Sequence, residues 1–265
     1  MNVVTQELLH AVIDISEKAS DEILTFYDTD FNVEVKDDLT PLTSADLAAH
    51  NYITEALTQL TPHIPILSEE AANIPFDVRK TWETYWLVDP LDGTREFIKK
   101  NGEFSVNIAL ISGHEAILGV IYLPVTRVCY YASKGNGAYK KTNSETIKIS
   151  VKQTQRDAMI IAGSRSYRDS SLDSFLEKIG KYEIISMGSS IKSCLVAEGK
   201  VDIYPRLGPT SEWDTAAAQC IVEESGGSIT DTSLQPLQYN TKDVLLNPHF
   251  LVFADDSINW LEFLP

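Results

Sequence analysis

Apolar positions along the first part of the chain recur at helical spacing. Leu8, Val12, Ile15, Ala19, Ile23 and Phe26 step by three or four, which predicts an amphipathic helix over residues 5–27. A second helix is predicted from about Thr43 to Leu60, because Thr43 and Asp46 have the capping-box form and Pro62 lies just past the end. Beyond it the spacing changes. Residues 64–67 and 84–88 are short apolar runs, and the second stops at Asp89-Pro90. Strand-like runs cover residues 104–111, 116–123 and 127–132, separated by the turns Ser112-Gly113-His114-Glu115 and Pro124-Val125-Thr126. They predict an antiparallel meander covered by the two helices. Lys134-Gly135-Asn136-Gly137 reads as a further turn and residues 140–145 as a polar stretch. After residue 150 the pattern alternates. Strands are predicted at 158–162, 183–186 and 201–204, and helices at 170–179, 189–198 and 213–224. Alternation of this kind predicts a smaller α/β unit. The expected organisation is an α+β half over residues 1–150 and an α/β half over residues 151–265.

Composition narrows the partners. The 265 residues are 43% hydrophobic and 23% charged, a globular balance with enough chain for a large core. Lys and Arg number 22 against 38 Asp and Glu, a formal net charge of −16. That sign argues against coating nucleic acid, which needs cations to displace phosphate counterions. It argues equally against docking on anionic lipid. The acid excess itself fits solubility as readily as a carboxylate cage for cations. No run approaches ~18 apolar residues, so no spanning segment is expected. The first seven residues lack a basic n-region followed by an apolar stretch, so no secretory signal is expected. Cys129, Cys194 and Cys220 have no Cys-x-x-Cys spacing and read as buried free thiols in a reducing cytoplasm. The five histidines share no metal-ligand spacing, so zinc is not expected. Gly135-x-Gly137 lacks the third glycine and following helix of a dinucleotide fingerprint.

The candidate chemistry lies where strands end. Trp86-Leu87-Val88-Asp89-Pro90-Leu91-Asp92-Gly93-Thr94 delivers Asp89 to a strand terminus, and Pro90 should stop the strand there. Asp92 follows three residues on, in a turn that Gly93 permits. Two carboxylates from one turn can share a hard cation such as Mg²⁺, and the Leu91 carbonyl can add an oxygen. The same residues also suit a plain Asx-type turn. Glu69 and Glu70 follow another predicted strand, where a solvated loop is the ordinary expectation. Asp214, in Glu212-Trp213-Asp214-Thr215-Ala216, sits in a first helical turn, where the helix dipole alone favours a carboxylate. Met187-Gly188-Ser189-Ser190-Ile191-Lys192 reads as a strand-to-helix turn suited to phosphate or to a simple N-cap. Arg165, Lys192 and Arg206 are basic groups predicted at strand ends or helix starts, candidates for a substrate anion.

Taken in order, Ser68-Glu69-Glu70, Asp89-Pro-x-Asp92-Gly-Thr94 and Trp213-Asp214-x-Ala-Ala resemble the lithium-sensitive, magnesium-dependent phosphatase superfamily. That superfamily holds inositol monophosphatases, fructose bisphosphatases and bisphosphate nucleotidases. The finer resemblance is to the bacterial CysQ type of 3′(2′),5′-bisphosphate nucleotidase. It is carried by residues 85–104, by residues 188–199 and by Tyr204-Pro-Arg-Leu-Gly-Pro209. Inositol monophosphatases typically have Asn-Phe after the Gly-Thr pair, where this chain has Arg95-Glu96-Phe97. Relatives often carry Lys at Arg95, a change that keeps the charge.

The resemblance implies an α/β (α+β) fold, a layered αβαβα sandwich of the inositol monophosphatase and fructose bisphosphatase type. It implies hydrolysis of 3′-phosphoadenosine 5′-phosphate to AMP and phosphate by a metal-activated water, a step in sulfur assimilation. Two or three Mg²⁺ ions are implied, held by Glu69, Asp89, the Leu91 carbonyl, Asp92 and Asp214, with Glu70 just behind them. Asp46 and Thr94 would orient and deprotonate the water, with Glu69 beside them. Gly93 and Thr94 would hold the reacting phosphate. Ser189, Lys192 and Arg206 would hold the other phosphate. An inositol or sugar phosphatase of the same superfamily is the alternative, with a non-catalytic cation or phosphate sensor behind it. A phosphatase that forms an aspartyl phosphate fits less well, because its aspartates are spaced Asp-x-Asp. A small-molecule nucleotide bisphosphate, no nucleic acid and no integral membrane segment are the expected partners. The expected state is a monomer or homodimer in the cytoplasm, with loose association at the inner face of the membrane left open.

Overall fold

The computed structural model describes residues 4–27, 33–35, 41–152, 157–165 and 170–265, with the backbone alone at 33–35, 41–43 and 170. The chain opens with α1 (Gln6–Tyr27), β1 (Val33–Val35), β2 (Pro41–Thr43) and α2 (Ser44–Leu60). β3 (Ile66–Ser68) runs into a 3-10 turn at Glu69–Ala71, and α3 (Phe76–Arg79) leads to β4 (Thr84–Asp92) and α4 (Thr94–Ile98). A meander follows: β5 (Ser105–Ser112), β6 (Glu115–Leu123), β7 (Val128–Ser133), β8 (Ala138–Lys141) and β9 (Thr146–Ile149). Then come β10 (Met159–Ser164), α5 (Ser170–Ile179), β11 (Tyr182–Met187), α6 (Ile191–Ala197) and β12 (Ile203–Arg206). A 3-10 turn at Glu212–Asp214 precedes α7 (Ala216–Glu224), β13 (Ser228–Asp231), β14 (Phe250–Phe253) and a last 3-10 turn at Trp260–Phe263.

The strands form two main sheets. One has the order β3-β4-β5-β6-β7-β8-β9 and is antiparallel except for the β3–β4 pair. The other has the order β11-β10-β12-β14-β13, parallel where β10 meets β11 and β12. Successive residues of a strand face opposite sides of its sheet. In the seven-stranded sheet both sides are apolar. Trp86, Val88, Ile108 and Val120 pack beneath α1 and α2, while Tyr85, Leu87, Ala109 and Ile121 pack toward α6 and α7. Both sheets bury a face against the α6–α7 layer, and the outer face of the five-stranded sheet is closed by Phe175, Leu176 and Trp260. The order of layers is therefore αβαβα. The small residues that open α7 have a steric reason. A Cβ on Gly119 of β6 would lie 2.3 Å from the Ala217 carbonyl oxygen, so helix and sheet touch at backbone distance.

Several expectations need correction. β4 does not stop at Pro90 but runs to Asp92 through a register shift between Asp89 and Asp92. The shift is a bulge, and it leaves Pro90 out of the ladder that its missing N–H could not serve. The meander is covered by two helices on one face only, since α7 lies against the other. β8 and β9 pair although their composition is polar, with an exposed or half-exposed face. The helix expected from residue 189 begins at Ile191 and is short, and the helix expected from residue 213 begins as a 3-10 turn. The Thr43 side chain of the expected capping box lies outside the described residues. Cys129, Cys194 and Cys220 are free and buried. Among the described residues no helix is long and apolar enough to cross a membrane.

Candidate active site

The bulge in β4 explains how one short segment presents two carboxylates together. Asp89 pairs with Asn107 and Asp92 with Ser105, so Pro90 and Leu91 arch out of register between them. The Leu91 N–H donates to Asp89 Oδ1 at 3.0 Å, so the Asx-type turn is real and coexists with the cluster. The Thr94 hydroxyl donates back to the Leu91 carbonyl at 3.4 Å. Asp214 arrives from the other half of the chain on its 3-10 turn, where its Oδ2 accepts the Ser211 N–H at 2.8 Å. One carboxylate oxygen from each of Asp89, Asp92 and Asp214 lies within 4.8 Å of the others.

Burial makes this crowding costly. Asp89 is 1% exposed, and burial together with the neighbouring Glu69, Asp92, Asp214 and Asp46 carboxylates raises it well above the usual carboxylate range. Burial, Asp92 and Glu69 likewise push Asp214 up to about 8, against the pull of the Ser211 N–H and Arg206. Five acids therefore act on one another at one place: Asp46 from the first turn of α2, Glu69 from the turn after β3, and the three above. Oxygen donors alone, concentrated and mutually repelling, fit a hard divalent cation and neither a soft nor a nitrogen-preferring one. Glu69 is half-buried and lies outside the tightest trio, yet it raises both Asp89 and Asp214. Glu70 acts instead on His50, whose Nδ1 is 2.8 Å from Ser68 Oγ at the end of β3.

A polar bridge absent from the sequence reading ties Asp92 to Asp214. The Ser190 N–H donates to Asp92 Oδ2 at 2.6 Å. The Ser190 hydroxyl lies 2.7 Å from that same oxygen and 2.9 Å from the Asp214 carbonyl, and donates to one of them. Asn107 Nδ2 donates to Ser190 Oγ at 3.0 Å and lies 3.3 Å from Asp92 Oδ2, while Ser105 donates to Asn107 Oδ1 at 3.0 Å. The signal was present in the sequence. Ser105 and Asn107 share one face of an otherwise apolar strand, and a buried amide needs partners.

Beside the acids opens a cavity of about 440 Å³, lined by Asp92, Gly93, Ser189, Lys192, Arg206 and Asp214 among others. Lys192 is buried. Its Nζ donates to the Met187 and Ser189 carbonyls and sits 5.1 Å from the centre of the Tyr204 ring. Burial lowers it to about 8, helped by Arg206 and opposed by Asp92, Glu96 and Asp214. Arg206 donates to the Pro209 carbonyl at 3.0 Å. Of the three cations expected to meet an anion, Lys192 and Arg206 reach this cavity. Arg165 does not line it, because its guanidinium is paired with Glu103. A larger cavity of about 560 Å³ lies along α7, away from these groups.

Comparisons with known proteins place the chain among its relatives. The Inositol monophosphatase family model matches residues 4–256. The chain is 44% identical to the 3′(2′),5′-bisphosphate nucleotidase CysQ of Aggregatibacter actinomycetemcomitans over 98% of this chain and 97% of that protein. It is 45% identical to the nucleotidase of the same name from Salmonella typhimurium, over 92% of this chain and 99% of that one. Among solved structures, CysQ from Bacteroides thetaiotaomicron superposes with a TM-score of 0.84 at 40% identity, covering 96% of this chain and 99% of that one.

Proposed function

Because the chain belongs to the inositol monophosphatase family, we propose that it is a metal-dependent 3′(2′),5′-bisphosphate nucleotidase. It hydrolyses 3′-phosphoadenosine 5′-phosphate to AMP and phosphate, which recycles a by-product of sulfur assimilation. The observation that carries this reading is the shared cavity. Its walls bring Asp92 and Asp214, two members of the carboxylate cluster, together with Lys192 and Arg206, basic side chains fit for a second phosphate.

Asp89, Asp92, Asp214, Glu69 and the Leu91 carbonyl are the groups that would hold Mg²⁺. When bound, the cations supply the charge that acidifies a water and stabilises the oxygens of the transferred phosphoryl group. The protein's part is position. Thr94 Oγ1, together with Asp46, would orient the attacking water and lead its proton away. The backbone N–H groups of Gly93 and Thr94 face the reacting phosphate. Ser189, Lys192 and Arg206 take the other phosphate, so that a substrate with two phosphates spans the cavity. Residues 1–150 form the half carrying most metal ligands. Residues 151–265 form the half carrying the second-phosphate contacts and Asp214. The enzyme acts in the cytoplasm as a monomer or homodimer.

The test is phosphate release from 3′-phosphoadenosine 5′-phosphate and from inositol 1-phosphate, with Mg²⁺, with and without Li⁺. Faster release from the nucleotide, with inhibition by Li⁺, is expected. A preference for inositol 1-phosphate would instead assign the chain to the inositol phosphatases of the family. Absence of release from either would leave a cation sensor.

A further inference from the structure

Arg165 and Glu103 lie outside the roles assigned above and outside the cavity lining, yet their ion pair joins the loop before β5 to the residue that follows β10. Arg165 donates from Nε to Glu103 Oε2 and from Nη2 to Glu103 Oε1, each at 2.7 Å. The same Nη2 donates to the Ser186 carbonyl at 2.8 Å. Glu103 Oε2 also accepts the Gly188 N–H at 2.8 Å. Paired, charge-assisted bonds of this kind fix orientation as well as distance.

The main chain is as close as the side chains. A Cβ on Gly188 would lie 2.6 Å from the Glu103 carbonyl oxygen and 2.6 Å from Glu96 Cγ. Gly93, next to Asp92, abuts the same carbonyl: a Cβ there would lie 3.1 Å from it. Glu103 is thus the spacer between the turn that follows the carboxylates and the turn at residues 187–190.

That second turn is held under strain. Ser189 has φ 45°, in the left-handed region, and its buried Oγ has no hydrogen-bond partner among the described residues. Such a conformation persists where its neighbours determine it. Here the restraints stand on either side of it. The Gly188 N–H is fixed to Glu103, and the Ser190 N–H to Asp92. The result is a hydroxyl in the cavity wall with its hydrogen-bonding capacity unspent.

We propose that Glu103, clamped by Arg165, is a positioning residue that sets the spacing between the Gly93 turn and the Ser189 turn, and so the preference for a ligand with two separated phosphates. The inference rests on the functional reading above, in which Ser189 and Lys192 take the second phosphate.

The experiment compares 3′-phosphoadenosine 5′-phosphate with adenosine 3′-monophosphate, which lacks the second phosphate. Glu103→Ala should raise KM for the bisphosphate about tenfold and KM for the monophosphate less than threefold, with kcat for either little changed. Arg165→Ala, at an exposed side chain whose loss leaves the core intact, should act in the same direction by about threefold. Glu103→Gln keeps an acceptor for the Gly188 N–H and should restore part of the preference. Equal effects on both substrates, or no effect from Glu103→Ala and Arg165→Ala, would overturn the proposal while leaving the nucleotidase reading intact. A wild-type protein without preference for the bisphosphate would overturn both.

Discussion

At the acidic end of the cavity, Asp89, Asp92 and Asp214 crowd within 4.8 Å, and burial plus mutual repulsion raise Asp89 and Asp214. At the basic end, Lys192 is just as buried, but the Met187 and Ser189 carbonyls and the Tyr204 ring surround its ammonium. The difference lies in what each end has available inside the chain. Backbone carbonyls and an aromatic face can hold an ammonium without an added ion, so Lys192 is satisfied as folded, while the Ser189 hydroxyl beside it stays unspent. Three carboxylates offer one another only acceptors, so the acidic end is complete only with protons or an added cation. An acidic protein that should repel a nucleotide thereby gains, at one place, the means to attract it.

The largest expected effect comes from breaking the acidic end. Asp89→Asn should lower kcat by about a thousandfold or more, as expected when a preorganised electrostatic element is lost. Near-wild-type turnover with the fold intact by circular dichroism would remove Asp89 from the mechanism. The same change should raise the melting temperature of chelated protein by a few degrees at high pH, where the wild-type cluster is forced to ionise, and little in acid, where a proton already neutralises Asp89.

Titration sharpens the comparison next. Asp214 has a folded value of about 8, raised above its ordinary value, so its stabilising share is full in acid and declines as pH rises toward 8. Thermal melts should therefore show a larger gain on adding Mg²⁺ at pH 8 than at pH 5.5, where protons occupy the cluster. An equal gain at both values would show that protons and cation do not compete there.

Smaller effects should come from the basic end. Lys192→Ala should raise KM for 3′-phosphoadenosine 5′-phosphate about tenfold while affecting inositol 1-phosphate less, as loss of one charge-assisted phosphate contact would. Equal changes would deny it a share in nucleotide selection. Smallest of all should be Glu70→Gln. The charge of Glu70 is felt at His50, whereas that of Glu69 is felt at both Asp89 and Asp214, so kcat should fall less than about threefold, while Glu69→Gln should cost far more. Equal losses in steady-state assays would put both glutamates on the cation.

The two ends also differed in how far the sequence revealed them. At the acidic end the pattern of an apolar strand ending in Asp-Pro and a following Asp-Gly-Thr suited a cation site and an Asx-type turn alike, and Glu69 and Asp214 joined it only through the family resemblance. What could not be read was the bulge, since pairing of Asp92 with Ser105 depends on β5. The Ser190–Asn107 bridge joins residues 83 positions apart, so the polar Ser105-x-Asn107 face of β5 signals that a buried partner is needed without naming it. At the basic end, three cations at strand ends looked alike. Arg165 differs from Lys192 and Arg206 only because Glu103, 62 positions away, captures it. Among the elements, α1 and α2 followed their apolar spacing, whereas β8 and β9 pair through their backbones with little apolar burial to announce them.

The most direct test is calorimetric titration of Mg²⁺ into metal-free wild-type protein and into Asp89→Asn, at pH 8, in buffers of different ionisation enthalpy. Wild type should bind Mg²⁺ and release protons as it does so, and the variant should bind far more weakly. A wild-type protein that binds no Mg²⁺, or a variant that binds it equally well with the same proton release, would contradict the claim that the carboxylate cluster is completed by a cation.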